Sequence, residues 1–233
     1  MTSIHLSKRL RAVASFIPKQ ARIADIGSDH AHLPCVAIRE GIVIRAVAGE
    51  VKEGPFRQAV SNVVEQKMTD AVSVRMGDGL DVIERGEVDT IVIAGMGGEL
   101  ITEILERGLQ KLTDENILIL QPNIREPRCR LWLASRGWRI TNEAIIEEEG
   151  HFYEIIRAER ERSGPYLLTE EEQLMGPVLI RNQTAVFKKK WTTRKNRLEN
   201  ILRSLENTED TPSIRKKRAD CGRKLEMIHR VLE

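Results

Sequence analysis

The chain has 233 residues, of which 41% are hydrophobic and 31% are charged, and this composition predicts a globular protein with one α/β domain and an appended region. Its three cysteines have no metal-ligand spacing, and their odd number gives no disulfide framework, so we expect a reducing, cytoplasmic environment. Segment 1–9 lacks the apolar stretch of a secretory signal, and no later apolar run approaches the length of a membrane span. We therefore expect neither secretion nor membrane insertion.

Charge is distributed unevenly along the chain. Residues 1–160 carry 21 Lys and Arg against 24 Asp and Glu, whereas residues 161–233 carry 16 against 11. A mildly acidic body with a basic tail is typical of a protein that binds a polyanion, and nucleic acid is the first polyanion to consider. The alternative for a difference of this size is a pair of ordinary solvated helices.

The first 160 residues alternate between apolar runs of strand length and segments of helical periodicity. A first helix is expected within Leu6–Ile17, before Pro18. The predicted strands that follow are 22–26, 45–49, 72–76, 90–94 and 117–120. The predicted helices are 32–40, 55–67, 99–106 and 127–135, and strands 138–146 and 152–158 form a hairpin at the sheet edge. Five parallel strand units followed by an antiparallel hairpin predict an α/β fold with the Rossmann-like sheet of class I methyltransferases.

The strand pattern ends around residues 160–165, and beyond Thr169 only helical spacing remains. Two sets of apolar residues repeat at separations of seven, four and three, namely Trp191, Leu198, Leu202 and Leu205, then Ile214, Cys221, Leu225 and Ile228. The polar segment 207–212 between them predicts a turn, so the two sets should form an antiparallel helical hairpin, a short coiled coil. Gly176-Pro177 should break or kink the approach to this hairpin. The predicted domains are therefore 1–162 and 163–233.

The strongest functional signal lies where the first predicted strand ends, in the segment 25–30, Asp-Ile-Gly-Ser-Asp-His. Glu50 ends the next strand, at a spacing typical of an acid that binds ribose hydroxyls, and Asp78 follows the third strand. Ligands of open α/β sheets bind at the carboxyl ends of the strands, so these acids should share one site. Carboxylates would repel a pyrophosphate but suit the sulfonium, ammonium and ribose of S-adenosylmethionine. The alternative is a set of ordinary turn and capping acids.

Each strand end has an expected role in that site. Asp25 and Gly27 should shape the pocket for the amino-acid half of the cofactor, Glu50 should bind the ribose, and Asp78 should accept from the adenine amino group. The segment 95–98, Gly-Met-Gly-Gly, replaces the Asn/Asp-Pro-Pro-aromatic loop of many amino-group methyltransferases, and its last two glycines should leave room for a flat base. Their alternative role is a close crossing of strand and helix. The residues expected to bind the cofactor are Asp25, Gly27, Ser28, His30, Glu50, Asp78, Gly79, Gly95 and Met96.

These motifs together resemble those of one family, the bacterial tRNA adenine-22 N1-methyltransferases. The similar segments are 25–34, 48–51, 54–55, 77–80, 94–98 and 121–123, and the basic helical tail is similar to the coiled coil of that family. The resemblance implies S-adenosylmethionine as the donor and N1 of a tRNA adenine in the D-loop region as the acceptor. One departure is His32, at a position where relatives often have an aromatic residue.

Methyl transfer from a sulfonium is an in-line displacement that requires no metal, so positioning of N1 should supply most of the catalysis. The methylated adenine is cationic, and Asp29 is the first candidate for a carboxylate that stabilises this charge. Capping of the following helix is its alternative role. His30 could orient Asp29 or contact phosphate, and its alternative is a structural role in the turn. Asn123 is the second catalytic candidate, as a hydrogen-bond partner of the base, with turn formation as the alternative.

N1 faces its pairing partner in folded RNA, so the enzyme must expose the base and hold the backbone. The basic runs 188–197 and 215–218 and a patch that includes Arg130 are candidates for phosphate contacts, with solvated helix faces as the alternative. Trp191 lies on the apolar seam and is expected in the core. The residues expected to bind nucleic acid are Arg125, Arg128, Lys188, Lys189, Lys190, Arg194, Lys195 and Arg197.

Three other functions remain open at this point. The first is methylation of another RNA or of a small molecule, although the basic hairpin disfavours the small molecule. The second is a non-catalytic RNA-binding protein with a relic nucleotide pocket, which the three acids disfavour. The third, a nicotinamide oxidoreductase, is the least favoured because of the pyrophosphate argument above. We expect a monomer or a weak dimer.

Overall fold

The computed structural model describes residues 4–206 and 208–233. Segment 1–3 of the amino terminus and Asn207 of the predicted turn lie outside the described residues. The chain divides into two compact units between Leu167 and Leu168. The strands of the first unit are β1 (Ala21–Ile26), β2 (Val43–Glu50), β3 (Val72–Met76), β4 (Thr90–Gly97), β5 (Ile117–Ile124), β6 (Trp138–Glu148) and β7 (His151–Arg160). Its helices are α1 (Lys8–Ala14), α2 (His32–Arg39), α3 (Glu53–Glu65), α4 (Gly98–Arg107) and α5 (Glu126–Ser135).

The strands form one sheet in the order β3-β2-β1-β4-β5-β7-β6. Strands β1 to β5 are parallel, and β7 is antiparallel to both β5 and β6. The predicted fold class is therefore confirmed. The chain reverses direction across the sheet between β1 and β4, and ligands of such sheets bind at the carboxyl ends of the strands beside this switch point.

The central strands are buried on both faces, which explains why their sequences are almost continuously apolar. Ile23, Ile91, Ile93, Leu118 and Ile119 have no exposed surface. Helices on both sides of a parallel sheet exclude water from both faces, so alternation of polar and apolar residues is lost.

Several predicted boundaries differ from the observed ones. Strands β4 and β5 extend through Gly97 and Ile124, because irregular pairing continues the ladder past Ala94 and Gln121. Helix α1 lies within the predicted segment and begins after Ser7, whose hydroxyl caps its amino terminus by accepting a hydrogen bond from the backbone N–H of Leu10 at 3.1 Å. Strand β3, after which the sequence predicted no helix, is followed by a short 3-10 turn, Gly79–Val82.

The second unit is helical, with α6 (Glu170–Met175), α7 (Pro177–Asn182), α8 (Ala185–Glu206) and α9 (Pro212–Leu232). Gly176, at φ +92°, separates α6 from α7, as predicted. Helices α8 and α9 are antiparallel neighbours, since the side chain of Gln183 donates to the carbonyl of Val231 at 2.8 Å. Trp191 is buried and its ring is close to that of Phe187, so its predicted place in the core is confirmed. Within the described residues, no helix combines the length and apolarity needed to cross a membrane.

Candidate active site

The carboxyl ends of β1 to β5 carry most of the residues expected to bind the cofactor and the base. Parallel strands end at a common edge, so Asp25, Glu50, Asp78, Met96 and Asn123 lie along one rim of the sheet. The surroundings of each strand end differ, and they determine what each end can bind.

Asp25, on β1, is a buried acid that accepts a short hydrogen bond. The hydroxyl of Ser28 donates to its Oδ2 at 2.6 Å. Burial raises the pKa of Asp25 to about 7; the Ser28 hydrogen bond lowers it, and the negative charges of Glu50 and Asp29 raise it again. Asp25 is therefore a carboxylate whose ionised form would be stabilised by an incoming cation.

Glu50, at the end of β2, is the other buried acid of the rim. Burial raises its pKa, although the backbone N–H groups of Asp29 and His30 hydrogen-bond to the carboxylate and oppose the shift. Its Oε1 is buried and has no hydrogen-bond partner among the described residues. A buried acceptor without a donor is costly, so this atom suits a ligand hydroxyl.

The turn that donates to Glu50 has an unusual backbone. Asp29, His30 and Ala31 adopt positive φ angles of 47°, 70° and 58° in succession. L-residues rarely adopt this region, and three in a row are held by contacts such as the 2.9 Å hydrogen bond from the side chain of Asn62 to the His30 carbonyl. In this backbone conformation the N–H groups of Asp29 and His30 point toward Glu50, and the side chain of Asp29 is 84% exposed.

The alternative role of Asp29 as a helix cap is wrong. The residue at the cap position of α2 is Ala31, and no side chain makes a capping hydrogen bond there. The Asp29 carboxylate instead lies 3.4 Å from Nε2 of His30, which agrees with the expectation that His30 orients it. Nδ1 of His30 is buried and has no hydrogen-bond partner among the described residues. The pKa of the neighbouring His32 is lowered, mainly by burial and to a smaller extent by the charge of His30.

Asp78, beyond β3, is not a free carboxylate. Arg107 at the end of α4 donates to both of its oxygens, at 2.6 and 3.1 Å. The neighbouring Gly79 has φ +59°, and a Cβ there would lie 2.9 Å from Cγ2 of Ile104. Packing against α4 therefore accounts for this glycine, and its expected contact with the cofactor stays a prediction.

The glycines at β4 have separate roles. Gly27, at the end of β1, has φ +67°, a conformation that L-residues rarely adopt, and a Cβ on it would lie 2.2 Å from the terminal methyl group of the flexible Met96 side chain. A Cβ on Gly98 would lie 2.3 Å from the carbonyl oxygen of Arg125. The expectation that Gly98 leaves room for a base is therefore wrong, because the β5–α5 backbone occupies that space. At Gly97 the nearest atom would be 3.8 Å away, an ordinary contact, and its expected role stays a prediction.

Asn123, on β5, belongs to a hydrogen-bond network that the sequence analysis missed. Gln121 is fully buried, and its Oε1 accepts from Nη1 of Arg9 at 2.6 Å and from the backbone N–H of Gly95 at 3.1 Å. Its Nε2 donates to Oδ1 of Asn123 at 3.1 Å, and Nδ2 of Asn123 donates to the Gly95 carbonyl at 2.8 Å. A polar Gln at the end of an apolar strand was a usable signal, whereas nothing in the pattern of the first helix marked Arg9.

The predicted basic patch at α5 is smaller than expected. Arg125 and Arg128 are exposed and lie 3.3 and 3.7 Å from Glu99. Arg130, also expected there, is fully buried and paired with Glu143 and Glu154, so its assignment to a nucleic-acid surface is wrong. Helical spacing turns it away from Arg128 and toward β6 and β7.

The cations of α8 differ in exposure. Lys188, Lys189, Arg194 and Arg197 are exposed, whereas Lys190 and Lys195 are partly buried, and Nζ of Lys190 lies 5.5 Å from the centre of the Trp191 ring. In α9, Arg215 and Arg218 pair with Asp210, which reduces the net positive charge of the second basic run. Across the part of the chain that the structure describes, no group of three or more His, Cys, Asp or Glu side chains could hold a metal ion.

The sheet has the strand order of a Rossmann-fold protein, with buried acids at the ends of β1 and β2, and a helical hairpin follows the sheet along the chain. These features define the class, a Rossmann-fold protein of the methyltransferase type. The family model of tRNA (adenine(22)-N(1))-methyltransferase matches residues 23–229. The Bacillus subtilis (strain 168) protein of that name is 42% identical over 236 residues, which cover 100% of this chain and 99% of the relative. The chain belongs to the tRNA (adenine(22)-N(1))-methyltransferase family.

Solved structures agree with this assignment. The crystal structure of the B. subtilis M1A22 tRNA methyltransferase TrmK has a TM-score of 0.91 at 41% identity, over 99% of this chain and 100% of that one. Sp1610 of Streptococcus pneumoniae in complex with S-adenosyl-L-methionine has a TM-score of 0.88 at 40% identity, over 98% of this chain and 100% of that one.

Proposed function

We infer that this protein is an S-adenosylmethionine-dependent enzyme that methylates N1 of adenine 22 in tRNA. Family membership over nearly the whole chain supports the reaction. The observation in the site that carries the inference is the buried Oε1 of Glu50, which has no hydrogen-bond partner among the described residues and lies next to a second buried acid, Asp25. A nucleoside with hydroxyl groups and a positive charge satisfies both residues, whereas a pyrophosphate would satisfy neither.

The residues of the rim fit S-adenosylmethionine, which supplies an electrophilic methyl group when it is bound. Glu50 would accept a hydrogen bond from a ribose hydroxyl through Oε1, while its backbone donors hold the carboxylate in place. Asp25 would face the positive charge of the amino-acid half, which favours its ionised form. Asp78 would accept from the adenine amino group after separating from Arg107.

We assign the acceptor side of the reaction to Asp29 and Asn123. N1 of adenine has an in-plane lone pair, so no base must remove a proton before attack, and positioning is the main requirement. Asp29 is exposed beside the turn, where its carboxylate can stabilise the positive charge that develops on the ring. Asn123 is exposed at the end of β5 and can hydrogen-bond the base.

The test of the function is transfer of a labelled methyl group from S-adenosylmethionine to unmodified tRNA, followed by nuclease digestion and mass identification of the nucleoside. We expect 1-methyladenosine, and a tRNA in which guanine replaces adenine 22 should accept no label. Bound cofactor with no 1-methyladenosine formed would contradict the proposed acceptor.

We assign tRNA backbone binding to the exposed cations of α8. A variant with Lys188→Gln, Arg194→Gln and Arg197→Gln should bind tRNA more weakly, and the slope of log affinity against log salt should fall by about two to three, roughly one for each lost phosphate contact. Lys19→Gln with Lys67→Gln, which removes two exposed cations of the first unit, is the control and should keep the wild-type slope. Equal slopes for both variants would contradict the assignment.

A tRNA substrate and three free cysteines support a cytoplasmic location. A monomer or weak dimer remains our expectation, and sedimentation over a range of protein concentrations measures it.

A further inference from the structure

The Arg9–Gln121–Asn123 network has a direction that is set by its first member. Arg9 and the backbone N–H of Gly95 can only donate here, so the end of the Gln121 amide that meets both must be its oxygen. The other end is then the NH2 group, which must meet the oxygen of Asn123. The NH2 group of Asn123 in turn faces the carbonyl of Gly95. Neither amide can flip without placing donor against donor.

This network leaves Asn123 with a defined remaining capacity. An amide has two N–H groups and two acceptor positions, and the network uses one of each. One donor and one acceptor are left on a side chain that is exposed at the rim of the sheet. Adenine offers a complementary pair on its Hoogsteen edge, where the N6 amino group donates and N7 accepts, and this is the edge that Asn and Gln bind in bidentate fashion.

The choice of edge matters for the reaction. If the amide met the Watson–Crick edge, its N–H would bind the N1 lone pair, which must stay free to attack the methyl group. Guanine has acceptors at both O6 and N7, so an amide of fixed orientation would face one of them with its oxygen. Hoogsteen contact therefore selects adenine and leaves N1 unoccupied.

We propose that Arg9 and Gln121 lock the side chain of Asn123 so that it binds N6 and N7 of the target adenine. The proposal rests on the adenine N1-methyltransferase function proposed above. In it Asn123 touches the substrate, whereas Arg9 and Gln121 are positioning residues. Arg9 is well suited to this because its backbone N–H donates to Glu148 at 3.0 Å and its guanidinium lies 5.7 Å from the centre of the Tyr153 ring. The first helix thus contributes to base recognition from far along the chain.

The test uses tRNA in which adenine 22 is replaced by 7-deazaadenine, which has a C–H group in place of N7 and keeps N1 and N6. For the wild-type enzyme, we expect kcat/KM to be roughly three- to tenfold lower with this tRNA, the value of one hydrogen bond. The Asn123→Ala enzyme should be slower with adenine and should lose this discrimination. Differences in the intrinsic reactivity of N1 between the two substrates affect every variant equally, so they cancel when the adenine to 7-deazaadenine ratio is compared between variants.

Variants of α1 test the positioning role. Arg9→Met should reduce the discrimination toward that of Asn123→Ala, and Arg9→Lys, which retains a donor, should restore part of it. Arg11→Met is the matched control, because Arg11 lies on the same helix but pairs with Glu40 at the surface, and it should discriminate as the wild type does. Cofactor binding by calorimetry verifies that each variant is folded.

The outcomes separate the two proposals. Formation of 1-methyladenosine with the same adenine to 7-deazaadenine ratio in wild type and Asn123→Ala overturns the Hoogsteen contact and leaves the enzyme function standing. An unchanged ratio in Arg9→Met, with a lost ratio in Asn123→Ala, overturns the role of Arg9. Absence of 1-methyladenosine from wild-type reactions with unmodified tRNA overturns both the function and this inference.

Discussion

Arg130 and the acids Asp25 and Glu50 are all buried in the first unit, yet their surroundings differ. Arg130 donates to Glu143 at 2.8 Å and also to Glu154, and all three side chains are fully buried. Burial alone lowers the pKa of the guanidinium, and the two carboxylates more than reverse this, so the net shift is upward. Asp25 instead faces the negative charges of Glu50 and Asp29, Glu50 faces that of Asp29, and burial raises the pKa of both buried acids.

The difference indicates which buried charges support the fold and which bind ligands. Glu143 and Glu154 supply the charges opposite to that of Arg130, so these ion pairs connect α5 to β6 and β7. Among the described residues, Asp25 accepts from the Ser28 hydroxyl and Glu50 accepts from backbone N–H groups, while Oε1 of Glu50 has no donor. A binding site for a cationic nucleoside must keep such unmatched groups, at a cost to stability, because the ligand is what completes them.

The largest effect is expected when the buried ion-pair cluster of Arg130, Glu143 and Glu154 is broken. Glu154→Gln leaves Arg130 with one carboxylate, and removal of a partner from a buried ion pair typically costs about 3–5 kcal/mol in the free energy of unfolding. We expect a loss near the lower end, measured by urea denaturation, because Gln can still accept a hydrogen bond. The control is Glu106→Gln, which removes the exposed partner of Arg136 and should cost about 1 kcal/mol or less. Similar losses in the free energy of unfolding for the two variants would contradict the special role given to the buried ion pairs of Arg130.

The buried acid Asp25 should make the stability of the protein depend on pH in the opposite sense to an acid of an ordinary ion pair. The pKa of Asp25 is about 7 in the folded protein and near 3.8 otherwise, so the folded state retains the proton longer. Its contribution to stability is complete below pH ~4 and is lost as the pH rises through about 7, in total about 4 kcal/mol. Asp25→Asn should abolish this part of the decline in urea denaturation without cofactor. Parallel pH profiles for the two proteins would show that Asp25 is ionised throughout.

A substitution of Glu50 should weaken cofactor binding without lowering the stability of the protein. Glu50→Gln keeps the shape but replaces a charged hydrogen bond to the ligand by a neutral one, so we expect roughly tenfold weaker cofactor binding by calorimetry. Stability at neutral pH should not fall, since a buried charge is removed. Glu65→Gln, an exposed acid on α3, is the control and should change neither quantity. Unchanged cofactor affinity in Glu50→Gln would refute the ribose assignment.

The smallest effect concerns Asp78, which is neither buried nor unmatched. Arg107→Gln frees both of its oxygens, so the cofactor no longer competes with the guanidinium, and affinity should rise about twofold, as expected for an exposed ion pair. Asp78→Asn should lower affinity instead. Weaker binding in Arg107→Gln would indicate that Arg107 itself contacts the cofactor.

The parts of the fold that follow from local patterns were predictable. The five parallel strands, the terminal hairpin and the two long helices were identified because burial on both faces, helical spacing and turn glycines are properties of short segments. The acids of the rim were identified for the same reason, since each follows an apolar strand. Asp25 and Glu50 were expected at strand ends that meet, and the structure brings them together there.

The sequence alone therefore determined which segments are strands and helices, and which acids end the strands. Only the tertiary structure decided the partner of each charge. It buried Arg130 while leaving Arg128 exposed, paired Asp78 with Arg107, and brought Arg9 to Gln121 across 112 positions of the chain. The physical reason is that a charged side chain is long and flexible, and its partner depends on the order of strands and the angles of helices, which no short segment encodes.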